Sequence, residues 1–226
     1  MNILAAVNPV LTTVCWLVCG LVWLIAVYIA PWRAFFAAGE RQHSLLAAIL
    51  ALGCFWLLNV EVRESLALHP LAMTATVMVF GWALAIIGGA LALLFSHGLD
   101  SLLEGALVWG NYPVDCVLSV VVPAGATSLV LHVIQRIRVR NLFIYMLGGG
   151  FLGAMISIQL MAAATVILLH ITGATELAAM AEEHYMIFGL LMFPEGFING
   201  AIVTLLTVLW PDIVKTYDDH RYLDDD

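Results

Sequence analysis

The chain has 226 residues, of which 63% are apolar and only 11% charged, and its 8 basic residues stand against 16 acidic ones for a net charge of −8. A soluble domain is about 45–50% apolar and about 25% charged, so this composition excludes soluble domains and specifies an all-α integral membrane protein whose first partner is the lipid bilayer. The acidic balance also excludes a nucleic-acid partner, whose phosphates demand clustered Lys and Arg.

A spanning helix needs about 20 residues to cross a hydrocarbon core of about 30 Å. Helices are predicted in chain order over residues 10–30, 43–59, 69–80, 82–97, 113–135, 142–172 and 186–210. Together they make a single transmembrane domain over 1–210, followed by a short polar cytoplasmic tail over 211–226. The third and fourth helices come from splitting one apolar stretch. As a single helix, 70–97 would be about 42 Å long at about 1.5 Å per residue, too long for one span and short for two.

Positive charge decides between these readings. Arg33 and Arg41, then Arg136, Arg138 and Arg140, then Lys215 and Arg221 form three basic segments, which the positive-inside rule assigns to the cytoplasm. An even number of crossings must separate the first two, and a break at Phe80-Gly81-Trp82 supplies it. Seven transmembrane helices follow, with the N-terminus outside and the C-terminus inside. The alternative keeps one tilted helix over 70–97 and makes 99–122 re-entrant, buried in protein.

No Gly-x-x-x-x-Gly-Lys-Ser/Thr, His-Glu-x-x-His or Gly-x-Ser-x-Gly segment occurs, so no enzyme activity and no intrinsic cofactor are expected. The polar residues at or near membrane depth carry the chemistry instead. His69, His97, His170 and His184 fall at outer helix ends, near Asp100, Glu104, Glu182 and Glu183. Imidazoles beside carboxylates suit a divalent transition metal, although polar residues also collect at any membrane interface. Asp115 lies deeper.

Glu195 interrupts the last apolar run and is costly there unless it pairs, and Asn199, one turn on, shares its face. Gly196 with Gly200, and Gly149 with Gly153, give small-residue faces for close helix contact. Packing and coupling are the expected roles of this face. The cysteines at 15, 19, 54 and 116 have no Cys-x-x-Cys spacing, so neither a disulfide framework nor a zinc site is expected. Cys15 and Cys19 share a helix face, and with Met73 they are soft donors that would suit copper, though core packing is their ordinary role.

Several strings carry a family resemblance. They are His-Pro-Leu-Ala-Met-Thr-Ala at 69–75, Gly-Trp-Ala-Leu-Ala at 81–85, Gly-Ala-Leu-Ala-Leu-Leu at 89–94 and Glu-Gly-Phe-Ile-Asn-Gly at 195–200. In this order and spacing the chain resembles the CbiM or NikM-like substrate-binding (S) components of energy-coupling-factor (ECF) transporters, and within them an uncharacterised bacterial branch. The resemblance implies seven helices with an extra N-terminal one whose free end dips into the protein, in a bacterial inner membrane. It also implies cobalt or nickel as substrate, and a scaffold protein and ATPase subunits as partners.

In that family the metal is held by the terminal amine, a second-position His and a later helix-opening His. Carried over, Met1 supplies the amine and His69 the imidazole, whereas position 2 is Asn2. His97, Asp100 and His184 are therefore the candidates to complete the site, and copper stays open beside cobalt and nickel. Ala47-x-x-x-Ala51 resembles the small-residue face with which such subunits dock their scaffold. A non-transport assembly factor for a metalloenzyme and a stand-alone metal permease are the competing functions.

Overall fold

The computed structural model describes residues 2–3, 7–62, 66–104, 109–137, 141–218 and 222. Among these, five helices are long and apolar enough to cross a membrane: Pro9–Ile29, Trp82–Leu103, Tyr112–Arg136, Ile144–Ile171 and Tyr185–Leu209. Helix α1 (Pro9–Ile29) opens with Asn8 as a side-chain cap, its oxygen accepting from the Leu11 amide at 2.8 Å. A short α2 (Trp32–Ala37) turns the chain into α3 (Gly39–Trp56).

Three short strands follow a pattern too brief to read as alternation. They are β1 (Asn2–Ile3), β2 (Val60–Val62) and β3 (Leu66–Leu68), joined in the antiparallel order β1-β3-β2. Helices α4 (Met73–Phe80) and α5 (Trp82–Glu104) form a hairpin broken at Gly81, whose φ of 79° and ψ of 162° suit glycine alone. Thus 73–80 and 82–104 are separate helices. The first begins four residues later than expected, because Ala72 takes a left-handed φ of 53° and the residue before a proline, here His69, is disfavoured in the helical region.

The fifth apolar run is continuous but not uniform. It comprises α6 (Tyr112–Cys116), a π-helical turn (Val117–Val121) and α7 (Val122–Arg136). Pro123 explains the wide turn: its ring cannot donate and crowds the carbonyl four residues back, at Ser119. A second π-helical stretch, Ile144–Leu152, contains three consecutive glycines and leads into α8 (Gly153–Ile171). Helix α9 (Thr175–Glu183) is short, and α10 (Tyr185–Leu209) ends the bundle.

Helix α4 is only eight residues long and is almost wholly buried, so its unpaired end groups need partners where no water reaches. At its start the Ala75 amide donates to Asn199 Oδ1 at 2.8 Å. At its end the carbonyls of Met78 and Val79 accept from the amides of Thr216 and Lys215 at 3.2 and 2.9 Å. Residues 211–217 are therefore not a free tail: Val214 is buried, and Tyr145 and Thr216 are joined through their hydroxyls at 2.7 Å.

Glycines let α10 approach the 144–171 helix closely. A Cβ on Gly196 would meet the Met155 side chain at 2.8 Å and the Phe151 carbonyl at 3.0 Å, and one on Gly150 would meet the Gly200 Cα at 3.3 Å.

Candidate functional site

Residues 69–72 are largely buried chain outside any helix or strand, and three groups hold them. The Trp56 indole N–H donates to the Leu71 carbonyl at 3.0 Å, and its ring lies 5.3 Å from that of His69. The Leu71 and Ala72 amides each donate to one oxygen of Glu195 at 2.8 Å. Asn199 ties the carboxylate in place, its Nδ2 donating to Glu195 Oε1 at 2.8 Å. Glu195 is 3% exposed and Asn199 fully buried, so their contacts make them a clasp for the His69 segment.

His69 itself is 4% exposed. Its Nδ1 sits 3.1 Å from the Pro70 carbonyl, and a carbonyl only accepts, so Nδ1 carries the proton and Nε2 the lone pair. Nε2 faces Ser119 Oγ at 3.5 Å across the widened π turn. With the proton on Nδ1, the buried Nε2 offers the lone pair that a metal ion takes from an imidazole.

One turn before Ser119, Asp115 organises the rest of the cluster. Its Oδ1 accepts from the Ile3 amide at 2.8 Å and its Oδ2 lies 3.2 Å from His97 Nε2. Asn111 Nδ2 donates to the carbonyl of the same Ile3. Both backbone groups of Ile3 are thus clamped, and β1 lies along β3 with Asn2 opposite Ala67, two residues before His69. Because Asp115 and Ser119 are four residues apart on one helical segment, His97 and His69 meet the same face of it.

The other expected ligands are placed differently. Met1 lies outside the described residues. Asp100 is half-buried one turn beyond His97 on α5. His184 sits in the turn between α9 and α10, where its Nδ1 donates to the Met180 carbonyl at 2.8 Å. It is 11 residues ahead of Glu195, about 16 Å along α10 at about 1.5 Å per residue. His170 pairs with Glu182 at 2.8 Å on the surface. Among the described residues no group of three or more His, Cys, Asp and Glu side chains is placed to hold a metal ion.

Asp115, Ser119, Asn111 and Trp56 were not expected in the site. Asp115 alone carried a signal, as an acid within an apolar run. On the lateral surface, Ala47 and Ala51 are exposed on α3. A groove of about 590 Å³ runs between α3, α4 and α10, lined in part by Ala48, Ala51, Ala72, Ala75, Ile198 and Ile202. Ala72 therefore touches the Glu195 clasp on one side and this groove on the other.

A family described as the cobalt uptake substrate-specific transmembrane region, CbiM, matches residues 7–213. No curated protein and no solved structure matches the chain. The match takes in nearly the whole chain, which belongs to this family: a multi-pass membrane component of metal-ion uptake, from a family of transport components and not of enzymes.

Proposed function

We propose that this member of the cobalt-uptake family is the substrate-binding component of an energy-coupling-factor transporter. It takes a divalent transition-metal ion, cobalt or nickel, at the outer helix ends and releases it inward when docked on a scaffold protein driven by ATPase subunits. The observation that carries this reading is the pairing of β1 with β3 two residues before His69, which lays Asn2 and Ile3 beside the segment that carries this buried imidazole. The α-amine of Met1 and His69 Nε2 are the proposed ligands. His97 completes the set, with Asp115 orienting its ring as a carboxylate partner.

The reading includes seven crossings: α1, α3, α4, α5, the 112–136 helix, the 144–171 helix and α10, with the N-terminus outside. In its support, Arg41 and Lys215 line one pocket with Phe80, at the end of α4 away from the sheet and His69. The exposed Ala47 and Ala51 face, with the groove beside it, is the proposed contact for the scaffold.

Elemental analysis of the purified, detergent-solubilised protein tests the site. Cobalt or nickel near one ion per chain in the wild type, lost in His69→Ala at unchanged thermal stability, is the expected result. Equal metal content in both proteins would reject His69 as a ligand.

A further inference from the structure

The groove between α3, α4 and α10 adjoins a charged mouth. Ser44, Val79, Phe80 and Ile213 line the groove and also line a smaller hollow bounded by Arg41, Asp212 and Lys215. The same three charged residues border a further hollow of about 360 Å³ beside Tyr217. An apolar trough thus leads to a polar end where the start of α3, the end of α4 and the chain beyond α10 meet.

Local contacts fix this end. The Lys215 amide donates to the Val79 carbonyl at 2.9 Å, which holds Lys215 against the last turn of α4. Arg41 lies one turn before Ser44 on the same face of α3. Arg41, Asp212 and Lys215 are all exposed, and among the described residues none of the three is ion-paired.

The dimensions match one leaflet. From Ser44 to Phe55 the groove follows α3 for 11 residues, about 16 Å at about 1.5 Å per residue, which is half of a hydrocarbon core of about 30 Å. Its volume of about 590 Å³ falls in the range of small-molecule sites, about 300–1,000 Å³. Helix α10 is long enough to cross a membrane and ends at Leu209, so Asp212 and Lys215 follow it at the level of the lipid headgroups.

We propose that trough and mouth together bind one zwitterionic phospholipid with a primary ammonium headgroup, the chemistry of phosphatidylethanolamine. Its phosphodiester lies on Arg41 and Lys215, its ammonium on Asp212 and one acyl chain in the groove. A guanidinium and an ammonium make charge-assisted hydrogen bonds to phosphate oxygens. The carboxylate of Asp212 selects among headgroups. An anionic phospholipid brings no cation to it, and a quaternary ammonium has no N–H to donate. The lipid occupies the groove in the subunit before a scaffold docks there, and neither metal binding at His69 nor the direction of insertion is required.

The test is native mass spectrometry of the full-length, metal-free protein, delipidated in detergent and titrated with phosphatidylethanolamine, phosphatidylglycerol or phosphatidylcholine of matched acyl chains. One phosphatidylethanolamine per chain, held about tenfold more tightly than either other lipid, is expected. The Arg41→Gln/Lys215→Gln variant should lose that lipid, and Asp212→Asn should bind phosphatidylglycerol as well as it binds phosphatidylethanolamine. Ala48→Trp, which fills the groove, should weaken all three. Equal retention of the three lipids by the wild type overturns the proposal, as does unaltered binding in the Arg41→Gln/Lys215→Gln variant. Glycerophosphoethanolamine competing as strongly as the intact lipid is equally fatal, because the groove would then hold no chain. If the glutamine variants fail to fold, the selectivity of the wild type decides.

Discussion

Leu71 and Glu195 are 124 residues apart in the chain, yet the Leu71 amide donates to Glu195 Oε2 at 2.8 Å, and Ala72 repeats the contact on Oε1. A carboxylate on one transmembrane helix thereby does for α4 what a Ser or Asp cap does for an ordinary helix: it accepts from backbone amides that have no partner in their own segment. The non-helical stretch carrying His69 can lie in the protein interior because α10 satisfies it.

Removing this carboxylate leaves two buried amides without acceptors, at about 1–3 kcal/mol each. Glu195→Ala should lower Tm in detergent by several degrees and more than Asn199→Ala, which strands the Ala75 amide while the carboxylate remains. Glu195→Gln keeps one acceptor oxygen and should fall between the wild type and Glu195→Ala. An Ala variant as stable as wild type would show that the clasp does not hold the segment.

The pairing of Glu195 with Asn199 is legible in the sequence, since both lie on one helix at four-residue spacing. Their other partners are not, because backbone amides at 71, 72 and 75 look the same in any sequence. The break at Gly81 is legible from charge parity. The wide turn at 117–121 hides within an unbroken apolar run with Pro123 as its only trace. The three strands are two or three residues long, below the length at which alternation shows. His97 and Asp115 are visible one by one as polar residues among apolar ones. Their meeting depends on tertiary packing of α5 against α6, which no local pattern encodes.

Gly81 provides a contrast in backbone strain. A residue with a side chain at its φ and ψ costs about 1–3 kcal/mol, and the added Cβ would meet the Lys215 side chain at 2.9 Å, a flexible group that can yield. Gly81→Ala should therefore be destabilising through the backbone. Gly98→Ala, inside α5 with open space around its Cβ, should be neutral or stabilising by up to about 1 kcal/mol. Thermal denaturation of both variants checks the pair, and similar Tm values would remove the case for a strained turn at 81.

Orientation is checked by labelling intact cells with a membrane-impermeant maleimide. Cys15, Cys19 and Cys116 are buried and Cys54 is exposed, so Cys54→Ser supplies a quiet background. A cysteine at Glu176, exposed on α9, should label from outside, whereas one at Arg136, exposed at the end of α7, should label only after lysis. The opposite pattern would invert the topology and place the His69 cluster at the cytoplasmic face.

Asn2 offers the sharpest test of the proposed site. Its strand lies opposite Ala67, two residues from His69, and the neighbouring Ile3 is clamped on both backbone groups by Asp115 and Asn111. That fixed backbone would hold a residue at position 2 opposite Ala67, two residues from His69, with little added ordering cost. Imidazole binds cobalt and nickel far better than a carboxamide does. Asn2→His should therefore raise nickel or cobalt affinity by about tenfold or more, equivalent to about 1.4 kcal/mol, measured by competition with a chromophoric chelator. Adding His69→Ala to that variant should abolish the gain, because both rings must contribute to one ion. If Asn2→His folds normally and binds no more tightly than wild type, the N-terminal strand does not face the metal and the ligand set must be sought elsewhere.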